Sequence, residues 1–500
     1  MRMSRLFVVS NRIANLHAPM GAARGGLAVA IEQALRKVGG IWLGWSGQTS
    51  ENPDSHAHVA TQDGITLAQL DLTERQVDEY YNGFANQALW PLCHYRTDLT
   101  AYDRSFRTSF AEVNRAFAHA IHQMLRPDDI VWVHDYHFIP LGRELRALGV
   151  DNRIGFFLHI PWPAREIFTT LPEHEELVWS MFAYDLVGFQ SRSALVAFKD
   201  YLTVELQAAL DGDDIIDAFG RRIMAKSYPI SIDPSEFTKL AQSSAALKAM
   251  ADLQRANPDC DLLVGVDRID YSKGLPQKFA TYARLLERHR DCHRRVHFFQ
   301  IGQPSRSAVS EYQALTSELV AQAGSINGLY GQLGWNPLSF HTQSYSRDVL
   351  AGIYRAAKAA LVTPLRDGMN LVAKEFIAAQ DEDDPGVLIL SRFAGAAEEL
   401  TFALLVNPFD QEGCVTAIRQ ALTMSRSERT DRWQALREII AQNSLFTWVD
   451  NFLGDLESLP RKQEGSLART SLCRAPASLR RVVDDDLFFA TDGLSAKSKN

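Results

Sequence analysis

The sequence predicts an α/β protein built on two mainly parallel sheets that face each other across a cleft. Short apolar runs alternate with amphipathic segments almost throughout, the pattern of repeated strand-helix-strand units. The chain has 500 residues, beyond the roughly 250–300 at which single hydrophobic cores stop growing, so two large domains are expected. The alternation breaks once near the middle, at Pro229-Ile230-Ser231-Ile232-Asp233-Pro234, where two prolines ahead of a polar helical pattern read as a linker. A cleft between two such sheets is the default ligand site, because both present strand ends to it.

In chain order, the expected strands of the first half are Leu6 to Ser10, Ile41 to Trp45, Ile130 to His134, Ile154 to His159, Leu186 to Phe189 and Ile223 to Tyr228. The first ends in Ser10-Asn11-Arg12, and after a loop comes Arg24-Gly25-Gly26-Leu27-Ala28-Val29, with its glycines just ahead of a helical pattern. Glycines there let the backbone approach a phosphate closely. An arginine at a strand's carboxyl end turns a weak signal into a candidate anion site. The third strand runs into His134-Asp135-Tyr136-His137. Two histidines and an aspartate could ligate a metal, but no third convincing ligand stands nearby, so no metal is expected and Asp135 reads as a carboxylate for sugar hydroxyls. His159 heads the proline-constrained loop Ile160-Pro161-Trp162-Pro163; taken alone, it reads as a hydrogen-bonded core histidine.

In the second half the expected strands are Leu262 to Val266, Val296 to Ile301, Ala359 to Thr363, Val387 to Leu390 and Leu404 to Val406. Arg268 and Lys273 follow the first of these in Asp267-Arg268-Ile269-Asp270-Tyr271-Ser272-Lys273-Gly274, and Arg306 follows the second. A guanidinium fork and an ammonium point charge on such edges suit two neighbouring phosphates. After the third strand, Thr363-Pro364-Leu365-Arg366-Asp367-Gly368-Met369-Asn370-Leu371-Val372-Ala373-Lys374-Glu375 passes from strand to glycine turn to a helix expected over Leu371 to Gln380. Strand ends that meet helix starts bind ligands in open α/β sheets, since unpaired N–H groups and the helix dipole favour an anion. The charges of this segment read as unneutralised.

Composition excludes several classes. A hydrophobic fraction of 46% and a charged fraction of 22% are those of a globular protein, and a net charge of −8 argues against a nucleic-acid partner. Cys93, Cys260, Cys292, Cys414 and Cys473 have no CxxC spacing, which fits a reducing compartment. Met1-Arg2-Met3-Ser4-Arg5 enters the first strand directly, leaving no room for a signal-peptide core, and no run approaches the roughly 20 apolar residues of a membrane span. Residues 461–500 are polar and unpatterned apart from Leu487-Phe488-Phe489 and are expected to form a disordered tail.

Taken together these blocks resemble the trehalose-6-phosphate synthase family of retaining glycosyltransferases, whose architecture of two Rossmann-like domains is called GT-B. The resemblance runs from Leu6 to Pro408 and more weakly to about Pro460. It is carried most specifically by Tyr80-Tyr81-Asn82 to Trp90-Pro91, His134 to His137, Phe156 to Pro163, Arg268 to Pro276, and Asp367 to Glu375. It implies an acceptor domain over 1–233, joined by a returning segment around 445–460, and a donor domain over 234–444. Arg12, Tyr81, Trp90, Asp135 and Arg306 match positions that hold glucose 6-phosphate, with Arg12 and Arg306 on its phosphate. Gly25, Gly26, Arg268 and Lys273 match positions at the diphosphate of UDP-glucose. Asp367, Gly368, Met369, Asn370, Leu371, Val372, Ala373, Lys374 and Glu375 match the donor cradle, with Asp367 and the turn amides on glucose and Glu375 on ribose. His159 matches a position at the transferred glucose. Tyr345 stands near the implied uracil site where relatives carry phenylalanine, so its extra hydroxyl bears on base preference.

The catalytic set implied is Asp135, His159, Arg268, Lys273 and Asp367. UDP-glucose is a co-substrate and no cofactor is called for; a cytoplasmic homo-oligomer is expected, with a tetramer as one candidate. No carboxylate pair is placed as a retaining hydrolase would need. The alternatives are a catalytically silent sugar-phosphate sensor on the same fold and a glycan phosphorylase, which would need a lysine for pyridoxal phosphate.

Overall fold

The computed structural model describes residues 5–13, 26–54, 56–62, 64–306 and 309–461. Gly25 and residues 462–500 of the expected disordered tail lie outside the described residues.

Ten strands form the first sheet: β1 (Leu6–Arg12), β2 (Gly40–Thr49), β3 (His58–Gln62), β4 (Ile65–Leu72), β5 (Ile130–His134), β6 (Ile154–Leu158), β7 (Leu186–Phe189), β8 (Ala209–Asp211), β9 (Ile215–Ala218) and β10 (Arg221–Ser227). Their spatial order is β3-β4-β2-β1-β5-β6-β7-β10-β9-β8. The run from β4 to β10 is parallel, Phe7 lying opposite both Ile41 and Val131, while β3, β8 and β9 pair antiparallel at the two edges. Helices cover both faces of the parallel centre, so its strands are unbroken apolar runs. Phe7-Val8-Val9, Val131-Trp132-Val133 and Phe156-Phe157 are all fully buried.

The second sheet has β11 (Asp261–Arg268), β12 (Val296–Gln303), β13 (Leu338–His341), β14 (Ala359–Val362), β15 (Val387–Ser391) and β16 (Leu404–Val406), all parallel in the order β13-β12-β11-β14-β15-β16. Five strands were not expected from sequence: β3, β4, β8, β9 and β13. β4 was legible, since Ile65-Thr66-Leu67 and Leu70-Asp71-Leu72 alternate with period two; the others are short strands at or next to a sheet edge whose pairing, not their composition, makes them strands.

After β10 the chain crosses between the sheets through Tyr228–Asp233 into the helix Pro234–Ala241, whose start Asp233 caps by accepting from the N–H groups of Ser235 and Glu236. It crosses back before the helix Leu445–Ser458, where Leu445 N–H donates to the Ile232 carbonyl at 2.9 Å. That last helix packs on the first sheet. Phe452 stacks on Trp132 at 4.9 Å, and a Cβ on Gly155 or Gly188 would stand 2.7 or 2.8 Å from the Phe452 ring. These strand glycines are therefore contact surfaces for the returning helix.

Candidate active site

The carboxyl ends of both sheets face one another, and the candidate residues gather on that seam. On the first sheet's side, Arg12 ends β1 with its guanidinium 5.5 Å from the Trp45 ring centre. Tyr81 lies on a π-helical stretch, Val77–Leu89, and its ring stacks on His137 at 6.0 Å. Trp90 opens the next short helix and is buried. π-Helical turns are rare and costly, and they concentrate at functional sites.

Asp135, just past β5, has φ 76° and ψ 166°, a region populated almost only by glycine and costing about 1–3 kcal/mol. Two bonds hold it there: its N–H donates to the Phe157 carbonyl at 2.7 Å and its Oδ1 accepts from His159 N–H at 3.1 Å. Burial pushes its carboxyl up to about 6, offset in part by the His159 and Tyr136 N–H groups, Arg306 and Arg268. A strained, half-buried carboxylate poised at the seam is a functional-site signature rather than a packing device.

Arg306 leaves β12 with φ 46° and reaches across. Its guanidinium lies 3.9 Å from the Trp90 ring centre and donates to Asp270 at 2.8 Å, Tyr312 at 2.6 Å and Tyr136 at 3.4 Å. Arg268 approaches the same Trp90 ring at 5.4 Å. Trp90, contributed by one half, is thus a platform for two cations from the other. Burial alone would raise the Asp270 carboxyl, but chiefly Arg306 and then Arg268 more than offset that and hold it below the usual carboxylate range. His94, buried beneath Trp90 at 4.1 Å, is pushed down to about 4 by burial and so is neutral.

On the second sheet's side, Asp270 caps the turn Tyr271–Lys273 and Gly274 closes it at φ 66°. This aims the Lys273 ammonium at Asp367, with which it forms a hydrogen-bonded ion pair. Asp367 also accepts from Asn370 Nδ2 at 3.0 Å. Burial would raise its carboxyl; Lys273 outweighs burial and lowers it. The charge of this segment is therefore not unneutralised, contrary to the sequence reading, because Lys273 lies 94 positions away. Lys374 is corrected in the same way: its ammonium is buried and donates to Glu399 at 2.7 Å and to the Ile230 carbonyl at 2.9 Å, so its side chain is committed inside the protein.

Asn370, left-handed at φ 82°, precedes the helix Leu371–Ala379 without capping it. The first N–H groups, on Leu371, Val372 and Ala373, thus start a helix with no side-chain cap, a geometry that favours an anion. Met369 is buried beneath the turn and its carbonyl accepts from Ala396 N–H at 2.9 Å. Glu375 is raised by burial and accepts from the Tyr354 hydroxyl at 3.4 Å. Tyr345 sits further along the second sheet's edge; its hydroxyl accepts from Gln343 at 2.5 Å and lies 2.7 Å from His341 Nδ1. Gly26 opens the helix Gly26–Val38, consistent with the helical pattern read after the glycine pair.

The two halves touch at Gly368. A Cβ there would lie 2.0 Å from the His159 carbonyl oxygen, so only glycine permits this approach. Arg366 braces the contact by donating to the carbonyls of Cys93 at 3.0 Å and Trp162 at 2.9 Å. Gly368→Ala is expected to force the halves apart and to lower turnover by about 10²-fold, the cost of a misplacement near 1 Å, while each half keeps its own core. Steady-state kinetics with a thermal melt checks this: loss of activity with a near-native melt is the expected result.

Asp270, Tyr312, Tyr136, His94 and Gln190, whose amide nitrogen lies 3.0 Å from His159 Nδ1, stand at the candidate site and were not singled out from the sequence. Asp270 was visible beside Arg268, but its partner Arg306 is 36 positions on, and no local pattern pairs them. His134 and His137 diverge: His134 hydrogen-bonds with His159 at 3.0 Å, whereas His137 packs against Tyr81 and Tyr136. Among the described residues no group of three His, Cys, Asp or Glu side chains is placed to hold a metal ion, and no helix is long and apolar enough to cross a membrane.

Two facing Rossmann-like sheets, with cations, a buried carboxylate and an uncapped helix start along their seam, define a GT-B glycosyltransferase. The chain belongs to glycosyltransferase family 20, whose model matches residues 4–458. It is 44% identical over 474 residues to the trehalose-6-phosphate synthase of Klebsiella pneumoniae subsp. pneumoniae, covering 95% of this chain and 99% of that one. Among solved structures it is similar to an alpha,alpha-trehalose-phosphate synthase (UDP-forming) from Burkholderia xenovorans in complex with glucose-6-phosphate, with TM-score 0.88, 43% identity, and coverage of 91% and 100%. An E. coli structure bound with UDP-2-fluoro glucose matches with TM-score 0.87 and 44% identity, covering 92% of this chain and 100% of that one.

Proposed function

We propose that this enzyme transfers glucose from UDP-glucose to the anomeric hydroxyl of glucose 6-phosphate with retention, forming α,α-trehalose 6-phosphate and UDP. The observation that carries this reading is the seam itself. His159 donates its N–H to Asp135 on one side and its carbonyl oxygen packs against Gly368 on the other, so an acceptor held by Asp135 and a donor held by the Gly368 turn would meet at one residue. The relatives' described ligands, glucose-6-phosphate and UDP-2-fluoro glucose, match these two halves in kind. Nothing in the site favours the silent-sensor alternative.

Departure of UDP builds negative charge on the diphosphate and positive charge on the sugar ring. Arg268 and Lys273, fixed on the second sheet's edge, are worth most where that charge develops. The leaving phosphate oxygen takes the acceptor's proton on the same face, and catalysis rests on positioning. In this scheme Arg12 and Arg306 take the acceptor phosphate with Tyr81 and Trp90 beside the sugar, Asp367 and the turn amides take the donor glucose, and Glu375 the ribose. Gly25 and Gly26 approach the diphosphate. The scheme calls on no metal or cofactor; a cytoplasmic location, with which the free thiols of Cys93, Cys260, Cys292 and Cys414 agree, and a homo-oligomeric state are further parts of the proposal.

UDP release, measured with UDP-, ADP- and GDP-glucose and with or without glucose 6-phosphate, tests the reading. Acceptor-dependent release is expected with UDP-glucose; none with any of the three donors overturns it. A pH profile tests Asp135. With its carboxyl at about 6, the hydroxyl-accepting anion forms as pH rises through that value, so KM for glucose 6-phosphate is expected to fall between pH 5 and 7, an interval of about one unit either side of it. The acceptor phosphate titrates in the same interval, but it does so equally in Asp135→Asn, so the difference between the two profiles isolates the carboxyl.

A further inference from the structure

One residue of the crossover, Ile230, is held by its backbone from both sides. Its N–H donates to Gln190 Oε1 at 3.0 Å, and its carbonyl accepts from Lys374 Nζ at 2.9 Å. Gln190, just past β7, is buried, as are Ile230 and Lys374. Lys374 is anchored in turn by Glu399, whose second oxygen accepts from Asn443 Nδ2 at 3.0 Å. The bond from Leu445 N–H to the Ile232 carbonyl ties the chain's return to the same segment.

The Ile230 bond settles which way the Gln190 amide points. A backbone N–H only donates, so the Gln190 oxygen faces it and the amide nitrogen faces His159 Nδ1 at 3.0 Å. That nitrogen also only donates, so His159 Nδ1 accepts. A neutral imidazole that accepts at Nδ1 carries its proton on Nε2, which faces His134 Nδ1 at 3.0 Å. His134 is left with its proton on Nε2, a buried atom without a hydrogen-bond partner among the described residues. Burial holds both rings neutral, pushing His159 down to about 3 and His134 well below its usual value. The proton order of two histidines thus follows from one peptide N–H of the crossover.

We propose that Gln190 is a positioning residue that couples the crossover segment to the seam of the active site: it reads the Ile230 N–H, fixes the tautomer and ring of His159, and so holds the His159 backbone between Asp135 and Gly368. Both ring nitrogens of His159 are engaged, so its ring places the backbone and moves no proton. A crossover displaced from β7 breaks the Ile230 bond, frees the amide to turn, and removes the preference for the Nε2–H form. The seam is then assembled in one arrangement of the two halves and lost in others.

The tautomer is read directly from imidazole ¹⁵N shifts of the full chain labelled at histidine, without substrate at pH 8, with the His159 signals assigned by their absence in His159→Asn. Wild type is expected to show the Nε2–H form. Gln190→Glu keeps the bulk and the acceptor for Ile230 N–H but offers a second acceptor to the ring, and is expected to place a proton on His159 Nδ1. Its kcat for acceptor-dependent UDP release is expected to fall about tenfold or more with KM for glucose 6-phosphate little changed. Gln190→Leu, which removes both bonds, is expected to lose the tautomer preference and to show the same kinetic split; where it fails to fold, Gln190→Glu decides alone. A loss of kcat without a change of tautomer marks a merely structural role and overturns the proposal, as does a changed tautomer with wild-type kcat. Only the kinetic arm rests on the transferase reading; the tautomer is measured whatever the reaction proves to be.

Discussion

Lys273→Ala is expected to lower acceptor-dependent UDP release by about 10²–10³-fold, the usual consequence of removing one fixed group aimed at developing charge, while KM for glucose 6-phosphate changes little. Two effects add. The first is the loss of a cation beside the departing diphosphate. The second is local: Lys273 neutralises Asp367, and without it burial meets less opposition, so that carboxyl is expected to move up. A carboxyl carrying its proton is a poorer acceptor for donor hydroxyls, so the loss in the variant is expected to deepen as pH falls through the range where Asp367 protonates. Near-normal turnover with UDP-glucose would remove Lys273 from the mechanism.

Arg306→Ala is expected to cost both acceptor binding and stability. Its guanidinium and the Asp270 carboxylate are almost wholly buried, at 6% and 0% side-chain exposure, and breaking such a pair by removing one partner costs about 3–5 kcal/mol. The pH dependence should change sign. In the native protein Asp270 lies below its usual range, so the stability it contributes is present above the unfolded value of about 3.9 and is lost as pH falls through the native one. In the variant, Arg306 no longer offsets burial. The carboxyl then moves up, and its contribution is present below about 3.9 and lost as pH rises through the raised value. Denaturant midpoints at pH 5 and pH 8 check this: relative to wild type, the variant is expected to be less compromised at pH 5. Arg306→Lys restores charge without the fork or the flat stacking on Trp90, and is expected to recover stability more than acceptor affinity.

Much of the architecture was legible because buried parallel strands leave a strong mark. Val131-Trp132-Val133 and Phe156-Phe157-Leu158 are apolar on both faces, and nothing but a covered parallel sheet asks for that. The residues that gather on the seam were legible at strand ends, where Arg12, Asp135, Arg268, Arg306 and Asp367 break apolar runs with charge. The short strands β8, β9 and β13 were not, since three or four residues carry too little pattern to separate a strand from a turn. The π-helical register at Val77–Leu89 was equally hidden, because the register of backbone hydrogen bonds within a helix leaves no mark in residue type.

The chain alone thus specified the class of fold, the strand ends that gather on the seam, and the kinds of groups carried there, because hydrophobic period and charge placement are local properties of sequence. Partnership was settled by folding. Lys273 with Asp367, Arg306 with Asp270 and Trp90, Gln190 with Ile230 and His159, and Gly368 with the His159 carbonyl are all pairs distant in sequence. Whether a charge is free or neutralised, and which nitrogen of a histidine holds its proton, depends on atoms about 3 Å away. Those neighbours come from a different strand end or from the opposite half of the molecule, and the chain brings them together only when both sheets are complete.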